Sequence, residues 1–88
     1  MKSTLSINRD GTKYWKTLNG SLHMEDGPAI EWSNGDKWWY INNLRHREDG
    51  PAIEIIDGNK RWWIDGISYT KEQYKLNTRA IKLKKLLK

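Results

Sequence analysis

A chain of 88 residues with no cysteine excludes a disulfide framework, and two histidines without a thiolate leave no Cys/His set for structural zinc. A domain of this size buries only roughly 60% of its unfolded surface, so six Trp and four Tyr must supply much of the core. The net charge of +5 divides unevenly: residues 1–69 carry nine Lys/Arg against ten Asp/Glu, while residues 70–88 carry seven against one, a body of −1 with a tail of +6.

No apolar run is long enough for a membrane span, and no signal-peptide core follows Met1. The expectation is a soluble cytoplasmic protein without a membrane partner, with which the lack of cysteine agrees.

From Asp10-Gly11 to Asp65-Gly66, two-residue turn signals recur every seven to nine residues: Asn19-Gly20, Asp26-Gly27, Asn34-Gly35, Asn42-Asn43, Asp49-Gly50 and Asp57-Gly58 lie between. Asn-Gly and Asp-Gly favour type I′ hairpins because both central residues need positive φ. Glycine every eight residues would cut any helix, so the spacing predicts an antiparallel meander of eight or nine short strands. Two-residue turns would set Ile30 opposite Trp39, Glu31 opposite Trp38, Ile53 opposite Trp62 and Glu54 opposite Arg61. Alternation then sends Ile30, Trp32, Trp39, Ile41, Ile53, Ile55, Trp62 and Ile64 to one face, and Ala29, Trp38, Tyr40, Ala52 and Trp63 to the other. Pro28 and Pro51 each remove a ladder donor, so pairing should open there.

Within this series, Leu22–Glu31 returns 23 residues later as Arg45–Glu54, with eight of ten positions identical. A period of this length marks a repeat architecture. A residue recurring once per repeat serves first to build it, and positions that break the pattern are better candidates for function. His23, Asp26, Gly27, Pro28, His46, Asp49, Gly50 and Pro51 therefore read as structural, the histidines bonding a turn and the aspartates capping backbone N–H groups. The pattern of Trp, Asn-Gly, His, an acidic residue and Asp-Gly-Pro-Ala-Ile-Glu resembles the MORN-like β-hairpin repeats of tailed phages and large DNA viruses. The resemblance spans about residues 11–69, as repeats at about 11–34, 35–57 and a truncated 58–69. It implies stacked hairpins of about 23–24 residues and a scaffold or binding surface. Asn43 stands where that group usually has glycine.

After this repeat domain (1–69), Thr70-Lys71-Glu72-Gln73 matches a capping box that opens a basic helix over 70–88, packed on the sheet or projecting from it. Leu76, Ala80, Leu83 and Leu87 form one apolar stripe, expected to dock on the sheet.

Nothing in the chain assembles an active site, cofactor site or metal site. Glu31 and Glu54 occupy one repeat position and read as a surface ladder, no serine has a motif partner, and no glycine run precedes a helix as a phosphate loop. The expected function is non-enzymatic binding. Lys75, Arg79, Lys82, Lys84, Lys85 and Lys88 would supply an electrostatic contact, and Trp38, Tyr40 and Trp63 an aromatic one. The resemblance implies a phage or viral accessory protein, which would act in the host cytoplasm; the chain itself is expected to be a monomer or weak homodimer. Its partner would be a host protein or ribonucleoprotein with an acidic surface, such as a defence system inhibited in the anti-CRISPR manner. Direct RNA or DNA binding by the same groups is one alternative, and self-assembly as a structural part is the other.

Overall fold

The computed structural model describes residues 2–87. They form a mainly β protein with one C-terminal helix: β1 (Thr4–Ile7), β2 (Lys13–Lys16), β3 (Ile30–Glu31), β4 (Lys37–Trp38), β5 (Tyr40–Ile41), β6 (Leu44–Arg45), β7 (Ile53–Glu54), β8 (Lys60–Ile64), β9 (Ile67–Tyr69) and α1 (Lys71–Leu86). Seven strands make one antiparallel sheet ordered β1-β2-β3-β4-β7-β8-β9, and β5-β6 is a separate two-stranded hairpin between β4 and β7 in the chain. Pairing opens as expected at the prolines, and β3 and β7 each begin two residues after one.

The turns differ in type from the simple series, and this changes the register. At Asn34-Gly35, the Trp32 N–H donates to the Asp36 carbonyl and the Gly35 N–H to the Trp32 carbonyl, each at 2.9 Å, with Gly35 at φ +100°. That is a three-residue loop, a type I turn closed by a left-handed glycine. The Ile55–Asn59 segment repeats it around Gly58. One extra loop residue slides the register by one. Ile30 therefore faces Trp38, Glu31 faces Lys37, Ile53 faces Arg61 and Glu54 faces Lys60, not the partners expected above. A one-residue slip exchanges faces. Trp38 thus joins Ile30, while Lys13, Glu31, Lys37, Glu54 and Lys60 stand in one row of alternating charge across five strands.

Type I′ turns occur at Asn42-Asn43 (φ 49° and 68°) and Asp65-Gly66 (49° and 80°). Asp26-Gly27 and Asp49-Gly50 are not hairpin turns. Their glycines keep negative φ, and they sit in the loops 24–28 and 47–51 that bring the chain back to the sheet. Backbone bonds show these loops to be equivalent. Met24 N–H donates to the Tyr40 carbonyl as Arg47 N–H does to that of Trp63, at 3.1 and 3.2 Å.

The core is one side-chain layer deep. Ala29, Ile30 and Tyr40 are buried, with Tyr14, Leu22, Met24, Trp32 and Trp38 packed on them. Ala52, Ile53, Ile64 and Tyr74 are also buried. The capping box at the start of α1 is present in full: Thr70 Oγ1 accepts from the Gln73 N–H, and Gln73 Oε1 accepts from the Thr70 N–H, both at 3.1 Å.

Candidate functional site

The helix docks by a different side from the leucine stripe. Its buried residues are Tyr74 and Thr78, followed by half-buried Ile81. Tyr74 packs its ring on Trp62 with centroids 6.4 Å apart. Its hydroxyl donates to the Arg47 carbonyl and accepts from the Gly50 N–H at 3.1 Å, so the helix is fixed to the loop 47–51. Burial raises the Tyr74 pKa above the usual 10.0, which keeps that hydroxyl a donor. Thr78 and Asn77 do not interrupt the helix. Thr78 Oγ1 returns to the Tyr74 carbonyl at 2.9 Å and Asn77 Nδ2 to that of Gln73 at 2.8 Å.

At 3.6 residues per turn, Leu76, Ala80, Leu83 and Leu87 lie opposite this docked face. All four are exposed, Leu76 at 68% and Leu87 at 87%. The expectation that the stripe covers the sheet is therefore corrected: Tyr74 and Thr78, one aromatic and one self-satisfied hydroxyl, do that instead. Among the candidate cations, Lys75, Arg79, Lys82 and Lys84 are exposed and form no ion pair among the described residues, whereas Lys85 Nζ bonds Glu48 Oε1 at 2.6 Å. Lys85 and His46 together hold the Glu48 carboxyl below its ordinary 4.5. Lys88 lies outside the described residues.

Trp38, Tyr40 and Trp63 do converge, but on a residue of the chain itself. The Arg45 guanidinium sits 5.2, 5.8 and 4.9 Å from their ring centroids. Tyr40 is buried, and Trp38 and Trp63 are half-buried with indole N–H groups that have no acceptor among the described residues. The three rings make a cage already filled, not an open platform.

The repeat histidines bond turns, though not the Asp-Gly pairs beside them. His23 Nδ1 accepts from the Asn42 N–H and His46 Nδ1 from the Asp65 N–H, each at 3.0 Å. Accepting there leaves Nε2 to carry the proton toward Glu25 at 3.4 Å and Glu48 at 3.0 Å. Asp49 accepts from Arg47 Nε at 3.0 Å and caps no backbone group among the described residues, so that part of its expected role falls away. Among the described residues no three His, Cys, Asp or Glu groups are placed to hold a metal.

Between the two equivalent loops runs a groove of about 960 Å³. Its apolar surface comes from Met24, Pro28, Trp39 and Ile41, and its walls carry Glu25 and Asp26 on one side and Glu48 and Asp49 on the other. Lys85 of α1, on the docked side of the helix, also lines it. Arg47 closes one flank. Its guanidinium lies 3.9 Å from the Trp39 ring centroid and bonds Asp49 at 3.0 Å, the Pro51 carbonyl at 3.0 Å and Glu54 at 2.8 Å. Arg45, Arg47, Glu25 and Glu48 were not among the expected site residues, and Asp26 and Asp49 were expected only as structural. For the two arginines the signal was nonetheless in the sequence, because Leu22/Arg45 and Met24/Arg47 are the two mismatches between the otherwise identical ten-residue segments.

Comparison with known proteins brings no match, whether to a family model, a curated protein or a solved structure. Among the described residues no helix is long and apolar enough to cross a membrane.

Proposed function

We propose that this chain is a non-enzymatic binding module whose C-terminal helix engages an acidic face of a protein partner. The observation that carries this is the two-sided helix. One side is spent on Tyr74 and Thr78, and the other offers Leu76, Ala80, Leu83 and Leu87 beside four cations that form no ion pair among the described residues. Exposed apolar surface rimmed by charge is the usual composition of a protein contact, with the apolar stripe giving affinity and the rim giving rate and selectivity. The resemblance to MORN-like viral repeats favours a host protein as the target, and inhibition of a defence system, in the anti-CRISPR manner, as the outcome. Nucleic-acid binding has less support, because the rings that would stack bases are occupied by Arg45.

The test is affinity capture from host lysate, with and without nuclease, followed by a binding titration against the purified captured protein. Lys75→Glu/Arg79→Glu/Lys82→Glu should weaken binding by at least about tenfold, a change of about 1.4 kcal/mol, with the circular dichroism spectrum unchanged. Equal binding by that variant refutes the proposal, and capture abolished by nuclease transfers the function to nucleic acid.

A further inference from the structure

We propose that the chain pairs with a second copy of itself along the free edge of β1, the two β1 strands running antiparallel about a two-fold axis at Ser6. β1 ends the seven-stranded sheet, and all four of its residues are exposed. Opposite Leu5, both polar groups of Trp15 turn away from β1: its N–H donates to the Ala29 carbonyl at 2.8 Å, and its carbonyl accepts from the His23 N–H at 3.1 Å. Leu5 therefore stands in a non-hydrogen-bonded pair, and so does Ile7 two residues on, while Thr4 and Ser6 carry the bonds to β2. The N–H and C=O groups of Leu5 and Ile7 point off the sheet and have no hydrogen bond among the described residues. An edge of this kind is ordinarily protected by a proline, a charged side chain, a bulge or a covering element. Thr4–Ile7 contains no proline or charge, and its register with β2 is unbroken. The opposite edge is managed: β9 has only three residues, and α1 follows it and packs on β8 and β9.

Register identifies the occupant as a second β1. With the axis at Ser6, Leu5 of each copy faces Ile7 of the other in a hydrogen-bonded pair, so every outward group of β1 meets one from the partner strand. An axis at Leu5 or at Ile7 would set one outward residue of each strand against chain outside the partner's strand. The same axis gathers Leu5, 47% exposed, and Ile7, 60% exposed, from both copies into one apolar patch on the Trp15 side of the sheet. It also brings Lys2 opposite Asp10; both are exposed and form no ion pair among the described residues. Backbone, apolar and charged groups are thus matched in one register. A two-fold contact closes, whereas β1 on another copy's β9 would leave an edge free at each end and grow into fibres. Because α1 packs at the far edge of the sheet, the pairing does not use the helix surface proposed for a protein partner, and either idea can fail alone.

Sedimentation equilibrium of the full chain tests the contact, and cysteine cross-linking tests the register. The wild type should be a dimer. Leu5→Lys/Ile7→Lys sets like charges directly opposite one another and should weaken dimerisation at least about tenfold, with an unchanged circular dichroism spectrum. Mixing it with Leu5→Glu/Ile7→Glu should restore a 1:1 dimer. Since the chain has no cysteine, Ser6→Cys introduces a single thiol. Across the axis its Cα would lie about 4.5 Å from its mate, as in a non-hydrogen-bonded pair, within the range of about 4.4–6.8 Å that a disulfide spans. With oxidised glutathione, Ser6→Cys should give a covalent dimer on a non-reducing gel. Thr4→Cys, which would face Asn8, should not. That pair of variants decides the matter even where the lysine variant folds poorly. A monomeric wild type, oligomers that keep growing with concentration, a lysine variant that dimerises like the wild type, or Thr4→Cys cross-linking as readily as Ser6→Cys would each overturn the proposal.

Discussion

At the scale of single residues, the molecule depends on a few backbone positions that permit little substitution. Gly35 is one. At φ +100° an added Cβ would stand 2.8 Å from Ile56 Cγ2, although Ile56 is exposed and can yield. The dihedral therefore decides the outcome, and Gly35→Ala should cost about 1–2 kcal/mol, lowering Tm by roughly 4–8 °C for each kcal/mol. Thermal unfolding at an unchanged Tm would show that this turn is softer than its geometry. Arg45 is a more balanced case. Its buried Nε has no acceptor among the described residues, a cost of about 1–3 kcal/mol, while three rings around the guanidinium each return about 0.5–2 kcal/mol. Summed over three rings the return is about 1.5–6 kcal/mol, which overlaps the cost at its lower end. Arg45→Leu, the residue found in the first repeat as Leu22, should leave Tm within a few degrees. Arg45→Ala, which uncovers the rings, should lower stability by about 1–3 kcal/mol and shift tryptophan fluorescence toward the red.

At the scale of elements, the docking of α1 adds one hydroxyl and one ion pair to the packing of Tyr74 on Trp62. Tyr74→Phe keeps the ring on Trp62 but removes two hydrogen bonds, and should destabilise by about 1–3 kcal/mol; equal stability would show the hydroxyl to be incidental. The Lys85–Glu48 pair works through pH. Because the folded state depresses the Glu48 pKa, its contribution is present above the ordinary value of 4.5 and disappears as pH falls through the folded value. The Tm difference between wild type and Lys85→Met should thus shrink below about pH 4.5, with acid titration of Tm as the check. How far these elements were legible varies with their physical cause. The meander, the repeat and the capping box depend on local chemistry, such as the positive φ of Gly35 and the reach of Thr70 to Gln73, and sequence carries that directly. Register was not legible, since Asn34-Gly35 suits both a two-residue and a three-residue loop, and only closure onto Asp36 distinguishes them. The docked side of α1 was hidden for a related reason. Periodicity favoured the leucines, but Tyr74 won through a partner, the loop 47–51, whose position depends on that register.

At the scale of the whole molecule, extents of 44 × 32 × 17 Å describe a slab in which no side chain is far from solvent. Such a shape spreads stability over the many small contacts of successive hairpins, as repeat proteins do. It also gives large, nearly flat faces in proportion to mass, which suits a protein whose proposed work is contact. The slab is unequal at its ends. The loop 47–51 is closed by Tyr74, while the equivalent loop 24–28 has no helix on it, and the groove is the consequence of that difference.

The hairpin tips differ in one further way. In the first repeat the tip runs Leu18-Asn19-Gly20 between Thr17 and Ser21, and in the second it is only Asn42-Asn43, one residue shorter. Yet His23 reaches the Trp15 carbonyl at 3.1 Å just as His46 reaches that of Trp39 at 3.2 Å, so the chain is back in phase before the loop begins. The tip acts as a frame corrector: a residue gained or lost there is absorbed locally, whereas the same change between tip and histidine would move every later side chain to the wrong surface. Length variation across descendants of such a repeat should therefore accumulate at the tips and be purged everywhere else.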